Sequence, residues 1–293
     1  MSNKQFLELA GVPVIVKPPA NPNIPAPLIV LFHGFGIPNS EELLAEVLPL
    51  EEVEAWKAYL GLPHFGKRLP ESNSDEIIRR QFEDYVLNLL LPTSEQAMQE
   101  LPNVVEALQA RFPISNKEGI GLFGFSAGGL TALLTLLESS VDIKTIVLSG
   151  VTKDLVSVVD TFERWMKQVK NEEIQYRWNE ASELTKKRFD FIARASEIVK
   201  RQPIPAMLFV HGLQDNLFPI NQVEELYTAI ATHYSLANQS QRLCLQTFEH
   251  LGHDLDLEAA KNSPQLQQDI AQLQQVVAAW FAKYSTFRLS PSQ

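Results

Sequence analysis

A single cysteine, Cys244, is all that 293 residues offer, so neither an internal disulfide nor a cysteine-based zinc site can form. It lies in the apolar stretch Leu243-Cys244-Leu245 and reads as a buried, inert thiol. Positive charge is scarce as well: 25 Lys and Arg against 35 Asp and Glu leave a net charge of −10. Nucleic acid and anionic membrane both call for basic patches, so neither is expected as a partner. No apolar run reaches membrane-spanning length, and the first residues, MSNKQFLELAGVPV, hold no long apolar stretch of the kind a secretory leader carries. A soluble, cytoplasmic protein is the expectation. Repeats and low-complexity tracts are missing too, apart from a short glutamine-rich stretch near the C-terminus.

What is present is 45% hydrophobic residues, enough for a large packed core. These residues alternate between strand-like runs and helical patterns. Residues 5 to 17 read as a strand pair around Gly11, and Pro18 to Pro27 as a surface connection. Leu28-Ile29-Val30-Leu31-Phe32 is a continuous apolar run, the mark of a central strand covered on both faces. It ends in His33-Gly34-Phe35-Gly36, whose backbone N–H groups can point into a site at the strand's carboxyl end, or can simply turn the chain. A helix is expected at Glu41 to Leu48 and a strand at Ala58 to Leu62, followed by the loop Pro63-His64-Phe65-Gly66-Lys67-Arg68. Helices at Asp75 to Leu91 and Glu95 to Arg111 then cross over to a strand at Glu118 to Ser126, which makes the sheet parallel there.

That strand leads into the most informative stretch of the chain. Gly119-Ile120-Gly121-Leu122-Phe123-Gly124-Phe125-Ser126-Ala127-Gly128-Gly129 begins with strand patterning and ends in glycines. Leu130, Leu133, Leu134 and Leu137 follow at the spacing of a helix's buried face. Strand, tight turn and helix are therefore contiguous, with Ser126 at the turn in the chain's one G-x-S-x-G, G-F-S-A-G. So sharp a turn presses strand against helix and leaves room only for minimal side chains two residues either side. It sets the serine hydroxyl clear of the sheet, over the positive end of a helix.

A further strand is expected at Lys144 to Gly150. Val151 to Gln202 then interrupts the alternation with a long, charged, helical segment carrying Phe162, Trp165, Met166, Tyr176, Trp178, Phe189 and Phe191. It reads as an inserted helical cap within one domain spanning 1 to 293. The rhythm resumes with a strand at Ala206 to Val210, a helix at Asn221 to Tyr234 and a strand at Arg242 to Phe248. Ser263-Pro264 opens a last helix with Leu266, Ile270, Leu273, Val277 and Phe281 on its inner face.

A serine hydroxyl is a weak nucleophile and needs a base within hydrogen-bond reach, itself oriented by a third group. In an open parallel sheet the productive loops leave the strands' carboxyl ends. Three such loops carry Ser126, Asp215 and the pair His250/His253, in the chain order serine, acid, histidine. That order, together with the glycine turn after the earlier strand, resembles the α/β-hydrolase superfamily over nearly the whole chain. The resemblance implies a mostly parallel central sheet flanked by helices. It also implies a serine hydrolase, carboxylesterase-like, that cleaves an ester-like acyl bond of a small-molecule substrate through an acyl-enzyme, with no metal or organic cofactor. Ser126 is then the nucleophile, Asp215 the orienting acid and His253 the base, with the N–H groups of Phe35 and Ala127 as the oxyanion hole.

Phe35 between the two glycines departs from the lipase-type H-G-G-G and looks more like the loops of small esterases and peptidases. Asp154, Asp160 and Asp190 compete with Asp215 but fall in the helical insertion. His253 follows Gly252, whose freedom lets the loop fold back, and Asp254 beside it adds negative charge; His250 reads as part of a strand end. His33, Gly34, Gly36, Phe65 and Arg68 are candidate substrate-pocket residues. For Arg68 a substrate anion and a structural ion pair are both open; His33 and His211 also suit backbone hydrogen bonds near their turns. Peptidase, thioesterase and acyltransferase chemistries share the same triad, and a non-catalytic binding module shares the pocket. The complete set of triad and oxyanion residues counts against the last.

Overall fold

A computed structural model describes residues 4–70, 74–115, 119–171 and 173–285. Its centre is an eight-stranded sheet in the order β1-β2-β4-β3-β5-β6-β7-β8. The strands are β1 (Gln5–Leu9), β2 (Val12–Lys17), β3 (Leu28–Phe32), β4 (Trp56–Leu60), β5 (Ile120–Phe125), β6 (Ile143–Ser149), β7 (Ala206–Gly212) and β8 (Leu243–Phe248). Only β1/β2 and β2/β4 pair antiparallel; every later pairing is parallel. The α/β-hydrolase architecture expected from the sequence is what is found. Two boundaries move: β4 begins at Trp56, two residues before the apolar run that announced it, and Glu118, the expected first residue of β5, lies outside the described residues.

The helices are α1 (Glu41–Val47), α2 (Ser74–Asp84), α3 (Leu91–Arg111), α4 (Ala127–Glu138), α5 (Leu155–Lys170), α6 (Glu180–Arg188), α7 (Ala195–Ile198), α8 (Ile220–Leu236), α9 (Leu257–Ala260) and α10 (Pro264–Ser285). Strand β3 shows how they divide. Its five residues are all buried, but alternate side chains enter different cores because successive Cβ atoms leave a strand on opposite faces. Leu28, Val30 and Phe32 join the core under α3, α4 and α8, while Ile29 and Leu31 join the one under α1 and α10. Helix α4, buried from Ala127 through Leu136, is apolar nearly all round because it is enclosed.

Two features above the carboxyl edge of the sheet were not foreseen in this form. The expected helix from Asp75 to Leu91 breaks at Asp84, whose backbone is extended (φ −163°), and restarts as one turn of π-helix, Tyr85–Leu90, that runs into α3. The Asp84 carboxylate caps that turn by accepting from the Leu87 N–H at 2.8 Å. The segment from Val151 to Gln202 divides in two. Both halves reach the core of β3 and α4, through Leu155, Val158 and Val159 of α5 and through Phe189, Phe191, Ala195 and Ile198, but only α5 also lines the cavity, with Val158, Thr161, Phe162 and Trp165. Arg188 and Arg194 fasten this second half to the body through Glu138, with Arg188 also bound to Glu95 and Arg194 to Glu197. Among the described residues no helix is long and apolar enough to cross a membrane.

Candidate active site

Ser126 occupies the turn between β5 and α4 with φ 53° and ψ −120°, backbone angles that side-chain-bearing residues rarely adopt. The surroundings hold it there. Its N–H donates to Ser149 O on β6 at 2.8 Å, and the close approach of strand and helix leaves no room beside it. A Cβ on Gly124 would stand 2.3 Å from Gly128 O, and one on Gly128 would stand 2.2 Å from His33 O. Both glycines of G-F-S-A-G are therefore required by contact, as their spacing implied.

Asp215 and His253 arrive from the ends of β7 and β8. Asp215 is buried, and its Oδ1 accepts from the N–H groups of Leu217 (2.9 Å) and Phe218 (2.8 Å). Its Oδ2 lies 2.8 Å from His253 Nδ1. Burial pushes this carboxyl up, but the hydrogen bond from His253, the positive charge that ring carries when protonated, and the Phe218 N–H outweigh it and hold the group below the usual carboxylate range. An ionised carboxylate only accepts, so Nδ1 carries the proton and Nε2 presents a lone pair. Ser126 Oγ lies 2.9 Å from that Nε2 and donates to it. The imidazole is held in place by the rings of Phe125 and Phe218, at centroid distances of 5.4 and 5.3 Å. His250 takes no part: it is exposed, and its backbone N–H donates to Asp269 Oδ2.

The remaining candidates separate into those that face the site and those that build it. Phe35, Gly36 and Phe65 line a cavity of about 410 Å³ that opens above Ser126, and the Phe35 and Phe65 rings stack at 4.3 Å. Ala127, the first residue of α4, lines it too, and as a first-turn amide its N–H has no intrahelical partner. Gly34 lies beneath, where a Cβ would meet the Phe125 ring and Ser126 Cβ at 2.8–2.9 Å. His33 is fully buried between backbone groups: Nδ1 donates to Gly34 O at 2.8 Å and Nε2 accepts from the Leu62 N–H at 3.0 Å. Burial lowers its pKa to about 4, so it stays neutral. Arg68 is a clamp of the fold, forked onto both oxygens of Glu100 (2.7 and 2.8 Å) and touching Gly61 O, and it does not line the cavity.

Two contributions escaped the sequence. Asp254, expected to lend charge to His253, does interact with it electrostatically, and in addition its Oδ1 accepts from the Ile37 N–H at 3.2 Å while the Leu255 N–H donates to Ile37 O at 2.9 Å. The histidine loop and the 33–38 loop are thereby tied to each other. The other is the roof of the cavity. Ile77, Gln81 and Tyr85 from α2 and the π-turn face Val158, Phe162 and Trp165 from α5. The two sides meet where the rings of Tyr85 and Phe162 stack at 4.5 Å, and again where Tyr176 Oη donates to Asp84 Oδ1 at 2.7 Å.

Residues 83–286 match the prolyl oligopeptidase family. Among solved structures, TT1662 from Thermus thermophilus superposes with a TM-score of 0.59 at 19% identity, covering 92% of this chain and 98% of that one. A Pyrococcus horikoshii acylaminoacyl peptidase gives 0.65 at 15% identity over 100% of this chain but 43% of its own, so this chain spans less than half of that peptidase. A Pyrococcus furiosus esterase gives 0.56 at 13% identity, covering 97% of this chain and 92% of that one. At these identities the likeness is one of fold. No curated protein matches the sequence.

Proposed function

The chain belongs to the prolyl oligopeptidase family, and we propose that within it this protein cleaves an ester-like acyl bond through a Ser126-His253-Asp215 triad. Serine hydrolase chemistry on the α/β-hydrolase fold follows from that membership; the bond, the residues and their roles are our reading. The observation that carries it is the unbroken relay Ser126 Oγ to His253 Nε2 (2.9 Å) and Nδ1 to Asp215 Oδ2 (2.8 Å), at the floor of a cavity large enough for a small substrate.

In the proposed reaction His253 Nε2 takes the Ser126 proton as Oγ attacks the acyl carbon, forming a tetrahedral oxyanion. The N–H groups of Phe35 and Ala127 receive that charge, aided by the positive end of α4. The imidazolium, steadied by the Asp215 carboxylate, protonates the leaving alcohol, and the acyl group stays on Oγ. Water then enters, gives its proton to Nε2 and attacks the same carbon, which releases the acid and restores Ser126 Oγ–H. Residues 151–202 act as a cap in this reading, with α5 as the part that covers substrate and α6–α7 as its attachment. A peptide bond is the alternative target, and the family's peptidase description favours it. The test is incubation of the protein with a fluorophosphonate probe followed by mapping of the labelled residue. Label confined to Ser126 is expected, and folded protein that takes up none overturns the proposal.

A further inference from the structure

A cavity that accepts a substrate must either match its charges or exclude them. Ser126 sits at the bottom of this one, and the walls are overwhelmingly apolar. Aromatic rings from Phe35, Phe65, Tyr85, Phe162, Trp165 and Phe218 surround it. Among the described lining residues there is no Asp, Glu, Lys or Arg, and His253 is the one titratable member of the proposed relay that borders it. Some of the polar side chains that remain are committed. Thr161 Oγ1 donates to Leu217 O at 2.9 Å and accepts from Arg164 Nη2 at 2.9 Å; Ser126 and His253 bond to each other. Arg164 itself stays outside the lining, its Nη2 also on Leu217 O.

Gln81, Tyr85 and Trp165 are different: none of the hydrogen bonds of the described residues uses the amide, the hydroxyl or the indole N–H, though the last two sit on large aromatic rings. Gln81, the amide of the three, stands one helical turn from Ile77 on the cavity face of α2, half-buried. A neutral amide can donate and accept but cannot balance a charge.

We infer that this cavity selects the part of the substrate it holds for being uncharged and mostly apolar, with Gln81 as the specificity-determining polar contact. The inference rests on the hydrolase reading above and adds the substrate class to it. Desolvating an ammonium or carboxylate among aromatic walls with no counter-ion is costly, whereas an alkyl or aryl group gains from the same burial. Free amino-acid esters and peptides that would place an α-ammonium in the cavity are therefore disfavoured, and blocked or purely alkyl and aryl esters are favoured. Arg164 at the rim makes a carboxylate less unwelcome than an ammonium.

The test uses two sets of matched esters and the whole chain. In one set the alcohol is constant and the acyl chain ends in methyl, carboxylate or ammonium; in the other the acyl group is constant and the alcohol varies in the same way. In the set whose variable part occupies the cavity, the neutral member is expected to exceed the carboxylate, and the carboxylate the ammonium, by about a hundredfold in kcat/KM from first to last. Gln81→Glu places a carboxylate on that wall and is expected to improve the ammonium ester about tenfold relative to the neutral one. Labelling of Ser126 by a small uncharged phosphonate, measured in parallel, separates the two readings. If labelling is absent from folded protein, the hydrolase reading fails first. If labelling is normal while neutral and charged esters react alike in both sets, or Gln81→Glu leaves their ratio unchanged, the selectivity inference is overturned.

Discussion

The floor and the roof of the cavity are held by different kinds of force. The floor is main chain and short polar links: Ser126 is fixed by a bond to Ser149 and by glycine contacts, Asp215 by two amides, and His253 by Asp215 and two rings. The roof is two helical segments from distant parts of the sequence that meet through side chains, among them the stacked rings of Tyr85 and Phe162 and the bond from Tyr176 to Asp84. A floor of that kind tolerates almost no displacement of reacting atoms, while a roof of side-chain packing can change shape without disturbing them. Chemistry is thus assigned to the floor and choice of substrate to the roof. Floor substitutions should act on kcat, and roof substitutions on the ratio between substrates.

The largest effects test the floor directly. Ser126→Ala and His253→Ala are each expected to lower kcat by several orders of magnitude with little change in KM, as expected when a group acts in the transition state. His250→Ala, whose side chain is exposed, should stay within a few-fold of wild type. Steady-state kinetics on a neutral ester, with unfolding midpoints as a control, check both. Equal losses for His250→Ala and His253→Ala would break the assignment of chemistry to this relay.

Asp215→Asn comes next. Its Oδ1 already accepts from two amides, so asparagine must turn its NH₂ toward His253 Nδ1. That favours the tautomer with the proton on Nε2, the wrong one for accepting from Ser126. A loss of about 10³–10⁴ in kcat is expected, with the fold intact. A loss as large as that of Ser126→Ala, or none, would mean that the carboxylate is not acting through the tautomer.

How much of this could be read from the chain depends on how local each contact is. Ser126 and its glycines were legible because strand, turn and helix are consecutive, and the constraint on Gly124 and Gly128 lies within a few residues. Asp215 and His253 were legible because strand ends can be counted. The Asp254-to-Ile37 bond was not, since it joins positions 217 residues apart and a carboxylate beside a histidine suggests a local role. The roof was hidden for a related reason. Residues 75 to 91 carry a plain helical pattern, and periodicity does not tell a helix lying flat on a sheet from one that breaks at Asp84 to hang over a cavity. In residues 151 to 202, composition suggests an insertion but cannot separate α5, which lines the site as well as the core, from Phe189 and Phe191, which belong to the core alone.

A mid-sized effect concerns the floor's stability rather than its rate. His33 is held neutral with a pKa of about 4, against about 6.5 in the unfolded chain. As pH falls below about 6.5 the unfolded state takes up a proton that the folded state refuses until about pH 4. Stability is therefore lost across that window, by about 3 kcal/mol for this one group at its lower end. Denaturant unfolding at a series of pH values should show this slope. His33→Gln, which keeps a donor and an acceptor but does not ionise, should flatten it; an unchanged slope would show that the acid sensitivity arises elsewhere.

The smallest effect is the sharpest test of the contrast, because it removes one atom from the roof. Tyr176 Oη donates to Asp84 Oδ1, the same oxygen that caps the π-turn through the Leu87 N–H, and Tyr85 follows directly in the chain. Tyr176→Phe deletes the link between the segment after α5 and the start of that turn, while Asp84 keeps its backbone contact. A half-buried bond to a carboxylate is worth about 1–3 kcal/mol, and here the freed carboxylate can recover part of that from water. The unfolding midpoint should fall by a few degrees at most. Labelling of Ser126 by a small phosphonate should proceed at the wild-type rate, since the tie from Asp215 to His253 to Ser126 is untouched. What should change is discrimination: with Tyr85 and Phe162 less firmly apposed, kcat/KM for bulky and small neutral esters should converge by about two- to five-fold, within the range set by 1 kcal/mol. Should Tyr176→Phe instead slow labelling as much as it alters selectivity, roof and floor would be mechanically coupled, and the division of labour drawn from their construction would not hold.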